Sequence, residues 1–245
     1  MFRHLRTVLD VASTVLVIAV AGVLLWRIYN PAPAPGSRAQ VEEVTGVTLS
    51  ADMVRHVRGK GPVALVAFSD YQCPFCAKHV HENGPSIKSK LLDSGTVREV
   101  FLNFPLPMHL FAQKAGEAAE CAAEQGRFWD MHEAIFADAK ALGIDNLTRH
   151  AEQLKLDVAK FTKCIDSGKT AAAVERDLAE GKRLAVNATP AFFIGLVQPD
   201  GGITVRKRIN GAAPFQEFEK VIKDLQPARR ASIDGDQLVV SLFVK

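Results

Sequence analysis

Residues 63–68, Val63-Ala64-Leu65-Val66-Ala67-Phe68, form an unbroken apolar run, the pattern of a strand covered on both faces. The run leads through Ser69-Asp70-Tyr71-Gln72-Cys73 to Pro74, which suits the first position of a helix because its missing N–H is not needed there. Gly84-Pro85 predicts a kink or interruption of that helix, which resumes through Leu91-Leu92 and stops at Ser94-Gly95. Residues 97–104 predict a second strand, closed by Pro105 and Pro107. From about residue 108 to 182 the pattern is alanine-rich and helical. Ala115, Ala118, Ala119, Ala122 and Ala123 make a small-residue face suited to close packing, followed by Phe128-Trp129, Met131, Ile135 and Phe136. Beyond a break at Gly143, helices are expected over 146–154, 158–169 and 170–185. Strand pattern returns at 191–197, Asp200-Gly201-Gly202 marks a hairpin turn, and 203–209 pairs back before Gly211. Pro214 opens a last helix through Leu225. Upstream, 41–50 suggests an edge strand, and Ser50 a cap for a short helix through 57.

Both ends add something. Residues 11–26 are uncharged and almost wholly apolar, preceded by Arg3, His4 and Arg6 and followed by Arg27, with Trp26 and Tyr29 placed as interface anchors. A cleaved signal peptide shares this outline, but Arg27-Ile28-Tyr29-Asn30-Pro31 lacks the small residues that cleavage needs, so an uncleaved inner-membrane anchor is expected. The charge pattern puts the N-terminus inside and the body outside the cytoplasm, where disulfides persist. Prolines alternating with alanines over 31–36 read as a stiff spacer. At the other end, Leu238, Val240, Leu242 and Val244 alternate with Val239, Ser241, Phe243 and Lys245, apolar on nearly both sides. The tail, 231–245, is expected as an added strand of the same sheet, or as an edge offered to a partner. The expected organisation is thus an anchor (or signal) over 1–29, a Pro/Ala-rich linker over 30–44, a sheet domain from 45–107 and 183–245, and an inserted helical domain over 108–182. In composition the chain is ordinary: 48% apolar, 23% charged, net charge +3. That charge is too small, and its basic residues too scattered, for a nucleic-acid partner.

The candidate chemistry lies where the first strand meets its helix. Cys73 falls at the N-cap, where unpaired backbone N–H groups and the positive end of the helix dipole favour thiolate over thiol. Cys76 follows three residues later on the same face, close enough for a small disulfide ring. Strand, Cys-x-x-Cys and helix together signal a redox site. A structural disulfide or half a zinc site with His79 and His81 are the alternatives; the chain offers no second tight ligand pair, and those two histidines, two residues apart, face different ways on a helix. No metal ligand set is expected.

Further on, Ala188-Thr189-Pro190-Ala191 precedes the returning strand, a place where a cis proline would be useful. With Cys73-Pro74-Phe75-Cys76 after a strand, Thr189-Pro190 before the next sheet segment and the helical insertion between, residues 45–225 resemble a membrane-tethered DsbA-like thiol–disulfide oxidoreductase of the thioredoxin superfamily. The resemblance implies an α/β thioredoxin fold with an inserted helical domain. It implies that Cys73 is the exposed nucleophile and Cys76 its buried partner, with Pro74, Phe75, Thr189 and a cis Pro190 lining the substrate groove. It also implies a structural disulfide between Cys121 and Cys164, consistent with an even cysteine count in an oxidising compartment. Many relatives carry a buried acid six residues before the nucleophile; here that position is Ala67, and Asp70 is expected to be exposed on the loop. Phe75 likewise brings no donor to the thiolate. His109 stands at the hinge into the insertion, expected as a packed or surface histidine rather than a catalytic one. The implied activity is introduction of disulfides into exported cysteine-containing proteins, with reoxidation by a membrane redox partner and no bound cofactor. A reductase or isomerase is the alternative, and a metal carrier or chaperone the more distant one.

Overall fold

The computed structural model describes residues 40–226, together with helical residues 19–22 and 25–26. Nearly all of the expected anchor, the linker up to residue 39 and the tail over 231–245 lie outside the described residues. Among the described residues no helix is long and apolar enough to cross a membrane.

The body is one mixed sheet with helices on both faces. Its strands are β1 (Gln40–Glu43), β2 (Thr48–Leu49), β3 (His56–Gly59), β4 (Val63–Ser69), β5 (Val97–Asn103), β6 (Ala191–Val197) and β7 (Ile203–Asn210). They run in the order β1-β7-β6-β4-β5-β3, with β2 also paired to β7. Only β4 and β5 are parallel. The helices are α1 (Pro74–Ile87), α2 (Ala112–Ala123), α3 (Phe128–Ala137), α4 (Ile144–Gln153), α5 (Val158–Ser167), α6 (Ala171–Arg183) and α7 (Phe215–Leu225). Five of them, α2 to α6, lie between β5 and β6 in the chain, so the fold is a thioredoxin fold with an inserted helical domain.

Period-two alternation explains the unbroken apolar run of β4. Val63, Leu65 and Ala67 face one core with Ile87 and Leu91, and with Phe218 and Ile222 of α7. Ala64, Val66 and Phe68 face the other, with Leu102, Phe193 and Val205. A third core fills the insertion, where Ala115, Ala118, Ala119 and Ala122 admit Met131, Phe136 and Phe161; Cys73 and Cys76 belong to this core too.

Two expectations are refined. Of the kink or interruption expected at Gly84-Pro85, the interruption does not occur: Pro85 removes one donor, the helix runs on to Ile87, and a single π turn at Lys88–Leu92 carries it through Leu91-Leu92 with Leu91 buried. The short helix expected through residue 57 is only a 3-10 turn, Ala51–Met53, followed by β3 on the edge beside β5. The polar residues of β3 hid it, because each is paired across the structure rather than along a helix. Arg58 donates to Glu99 at 2.7 Å, and His56 stacks on Phe128 with its Nε2 2.9 Å from Glu120. Beneath them, Asp177 of α6 takes Arg55 and both the backbone and side-chain N–H of Asn103.

Candidate active site

The turn from β4 into α1 puts Cys73 at the N-cap in an extended conformation (φ −75°, ψ 122°), with Pro74 at the first helical position. The Cys73 carbonyl accepts from the N–H groups of Cys76 and Ala77, each at 3.1 Å, so the helix starts on the cysteine itself. Cys73 and Cys76 are both free thiols. Across from them the Thr189–Pro190 peptide is cis. The Cys73 thiol donates to the Thr189 carbonyl at 3.4 Å, and the buried Thr189 hydroxyl beside it has no hydrogen-bond partner among the described residues.

The two sulfurs differ in electrostatics. The Cys76 thiol beside it, the Thr189 hydroxyl and the N–H groups of Cys76 and Phe75 outweigh burial and lower the Cys73 pKa from 9.0 to about 5. Burial pushes Cys76 well up, as does its neighbour Cys73, while the Ser69 hydroxyl and the Asp70 N–H act the other way.

Cys73 is not the exposed residue expected from the resemblance: it is 3% exposed, because the Thr189–Pro190 turn and the insertion close over it. Its neighbour Phe75 does reach solvent, at 61%. Ala67 is buried in β4 and leaves no acid there. Asp70, expected on the surface, is 1% exposed. Its Oδ1 accepts from Gln72 N at 2.7 Å, an Asx turn, and its Oδ2 accepts from Leu106 N and His109 Nδ1, each at 2.7 Å. The Asp70 N–H itself donates to Cys76 Sγ at 3.5 Å. Only the Asx turn is a local signal; the partners beyond β5 have no trace in the neighbouring sequence.

Those contacts, with Phe111 N donating to Gln72 Oε1 at 2.9 Å, hold the segment after β5 against the active-site loop. That segment carries exposed Met108, Leu110 and Phe111, Leu110 at 83%. Tyr71 is buried against Phe101 and Phe136, with its hydroxyl 3.2 Å from Nδ1 of His132. His79 packs on Phe192 and Phe218, and burial lowers its pKa to about 3, so it is neutral. His81 turns to the opposite, exposed side. No cluster of metal-ligating side chains occurs among the described residues. Away from the thiol pair, Cys121 of α2 and Cys164 of α5 are joined in a disulfide.

A dithiol at a helix start thus faces a cis proline on a sheet with the strand order of a thioredoxin fold. The chain belongs to the thioredoxin family, whose model, described as Thioredoxin, matches residues 55–224. Its fold is similar to that of alpha-DsbA1 from Wolbachia pipientis (TM-score 0.60, 24% identity, 72% of this chain and 95% of that one). It is equally similar to oxidised BdbD from Bacillus subtilis (TM-score 0.60, 23% identity, 75% and 98%). Among curated proteins it is 34% identical over 199 residues to Na(+)/H(+) antiporter NhaA 3 of Salinispora tropica, aligning 76% of this chain. The chain spans 30% of the length of that relative.

Proposed function

We propose that the chain is an extracytoplasmic thiol–disulfide oxidoreductase that introduces disulfide bonds into exported proteins through Cys73 and Cys76. The observation that carries this reading is the asymmetry of the pair, a Cys73 thiol lowered to about 5 beside a Cys76 thiol raised by burial. In the oxidised protein a substrate thiolate bonds to Cys73 Sγ, the Cys73–Cys76 bond breaks, and its electron pair goes to Cys76. A second substrate thiolate then attacks the substrate sulfur of the mixed disulfide and Cys73 leaves as a thiolate, readily because its pKa is low. The substrate is oxidised by two electrons and the dithiol carries them, so no cofactor enters. Reoxidation falls to a membrane redox partner, and an anchor over 1–29 would keep the domain beside it.

Pro74, Phe75, Thr189 and Pro190 line the groove in this reading. Exposed Phe75, Met108, Leu110 and Phe111 offer apolar side chains to an unfolded polypeptide. The Cys121–Cys164 disulfide fits an oxidising compartment. The sodium–proton exchange named for the curated relative is not proposed for a chain spanning 30% of its length.

The test is the equilibrium reduction potential of the Cys73–Cys76 pair in glutathione buffers. The expected value is near the ~−120 mV of DsbA. A value near or below the ~−270 mV of thioredoxin overturns the oxidase reading in favour of a reductase or isomerase.

A further inference from the structure

When a thiolate attacks Cys73 in the disulfide, the bond to Cys76 breaks and Cys76 Sγ leaves with the electron pair. That sulfur is buried, 1% exposed, where a negative charge is costly. Ala67 on β4 brings no polar group to it. The Asp70 N–H, 3.5 Å away, does face it. The Asp70 carboxylate is tied along the chain to Gln72 N and across the fold to Leu106 N and His109 Nδ1, all at 2.7 Å.

We propose that Asp70 and His109 are positioning residues for Cys76: their contact fixes the loop so that the Asp70 N–H is already aimed at the sulfur that must leave as a thiolate. The proposal rests on the reading that Cys73 and Cys76 are the exchanging pair. A donor held in place before charge develops stabilises the transition state without reorganisation. Of the three donors to Asp70, only the His109 ring is a side chain, and it sits at the rim of the site, 18% exposed. It can therefore be replaced without disturbing a backbone bond or a core contact.

The experiment follows reduction of the Cys73–Cys76 disulfide by glutathione in rapid-mixing kinetics, on the full chain. In parallel, the thiolate absorbance of reduced Cys73 is titrated with pH. His109→Leu is expected to slow reduction about tenfold, the effect of about one hydrogen bond on a barrier, and Asp70→Asn at least as much. The Cys73 titration stays near 5 in both. His109→Asn, which returns an N–H to the same carboxylate oxygen, restores the rate to within about threefold of wild type. A wild-type rate in His109→Leu overturns the proposal. So does a Cys73 titration that shifts in step with the slowing, or a His109→Asn variant no faster than His109→Leu, since either means general loosening of the loop. A wild-type disulfide that glutathione never reduces overturns the functional reading itself, and is told apart from these because it needs no variant.

Discussion

At Cys73 two effects oppose each other: burial favours the neutral thiol, while the Cys76 thiol, the Thr189 hydroxyl and two backbone N–H groups favour the thiolate and win. The sign of the consequence follows from linkage. The folded pKa, about 5, lies below the ordinary 9.0, so between those values the unfolded reduced chain holds a proton that the folded one has released. Stability of the reduced protein should therefore rise with pH from about 5 toward 9, by a total on the order of a few kcal/mol, and fall away as pH drops through 5. Urea unfolding across that range should show this slope in reduced wild type and a much weaker one in Cys73→Ser. Equal slopes in the two proteins would mean that Cys73 is an ordinary thiol. The helix-start position of Cys73 is legible in the sequence because Pro74 follows it, a relation between adjacent residues. Its burial is not, because the carbonyl it meets belongs to Thr189, 116 residues away. Asp70 repeats the lesson: its Asx turn is local, but the histidine that holds it lies 39 residues on and reads as a packed or surface residue until the fold is built.

Among the elements, α6 shows how closely the insertion sits on the sheet domain. Gly181 of α6 lies against the rings of Phe104 and Phe68, both buried. A Cβ added there would overlap the Phe104 ring and meet Phe68 Cδ1 at 3.0 Å. Alanine improves helix propensity by about 1 kcal/mol, whereas overpacking a filled core costs about 1–3 kcal/mol. Gly181→Ala is therefore expected to lose about 1 kcal/mol in chemical denaturation, against the gain that propensity alone predicts. A gain would show that the rings yield without strain. The packing of α2 is legible in the sequence because its alanines repeat at helical spacing: of the five on the expected face, Ala115, Ala118, Ala119 and Ala122 are buried and Ala123 is partly buried. The edge strand β3 is not legible in this way. Its four residues, His-Val-Arg-Gly, carry no apolar alternation, and what holds them is a ladder to β5, ion pairs from Arg58 to Glu99 and Glu133, and a hydrogen bond between His56 and Glu120.

Across the folded body two kinds of bond tie distant segments together, and they fail differently. The cluster of half-buried Arg55 with buried Asn103, Glu120 and Asp177 joins the sheet to α2 and α6 by charge and hydrogen bonds, whose net contribution is reduced by desolvation. The Cys121–Cys164 bridge closes 43 residues within the insertion, so its effect falls mainly on the unfolded chain, whose freedom it restricts. Cys73 and Cys76 share a core with this bridge, yet the proposed exchange needs only those two thiols. Replacing both Cys121 and Cys164 by serine should therefore lower unfolding free energy by about 2–4 kcal/mol while leaving glutathione reduction of the Cys73–Cys76 disulfide within about twofold of wild type at 25 °C. Each half of that outcome can be checked on one preparation, by urea unfolding and by reduction kinetics. Unchanged stability would show that the unfolded chain is already restricted over this loop. A large loss of exchange rate in a protein that still unfolds cooperatively would show that the insertion must be braced for the active site to work, and that bridge and redox pair form one unit rather than two.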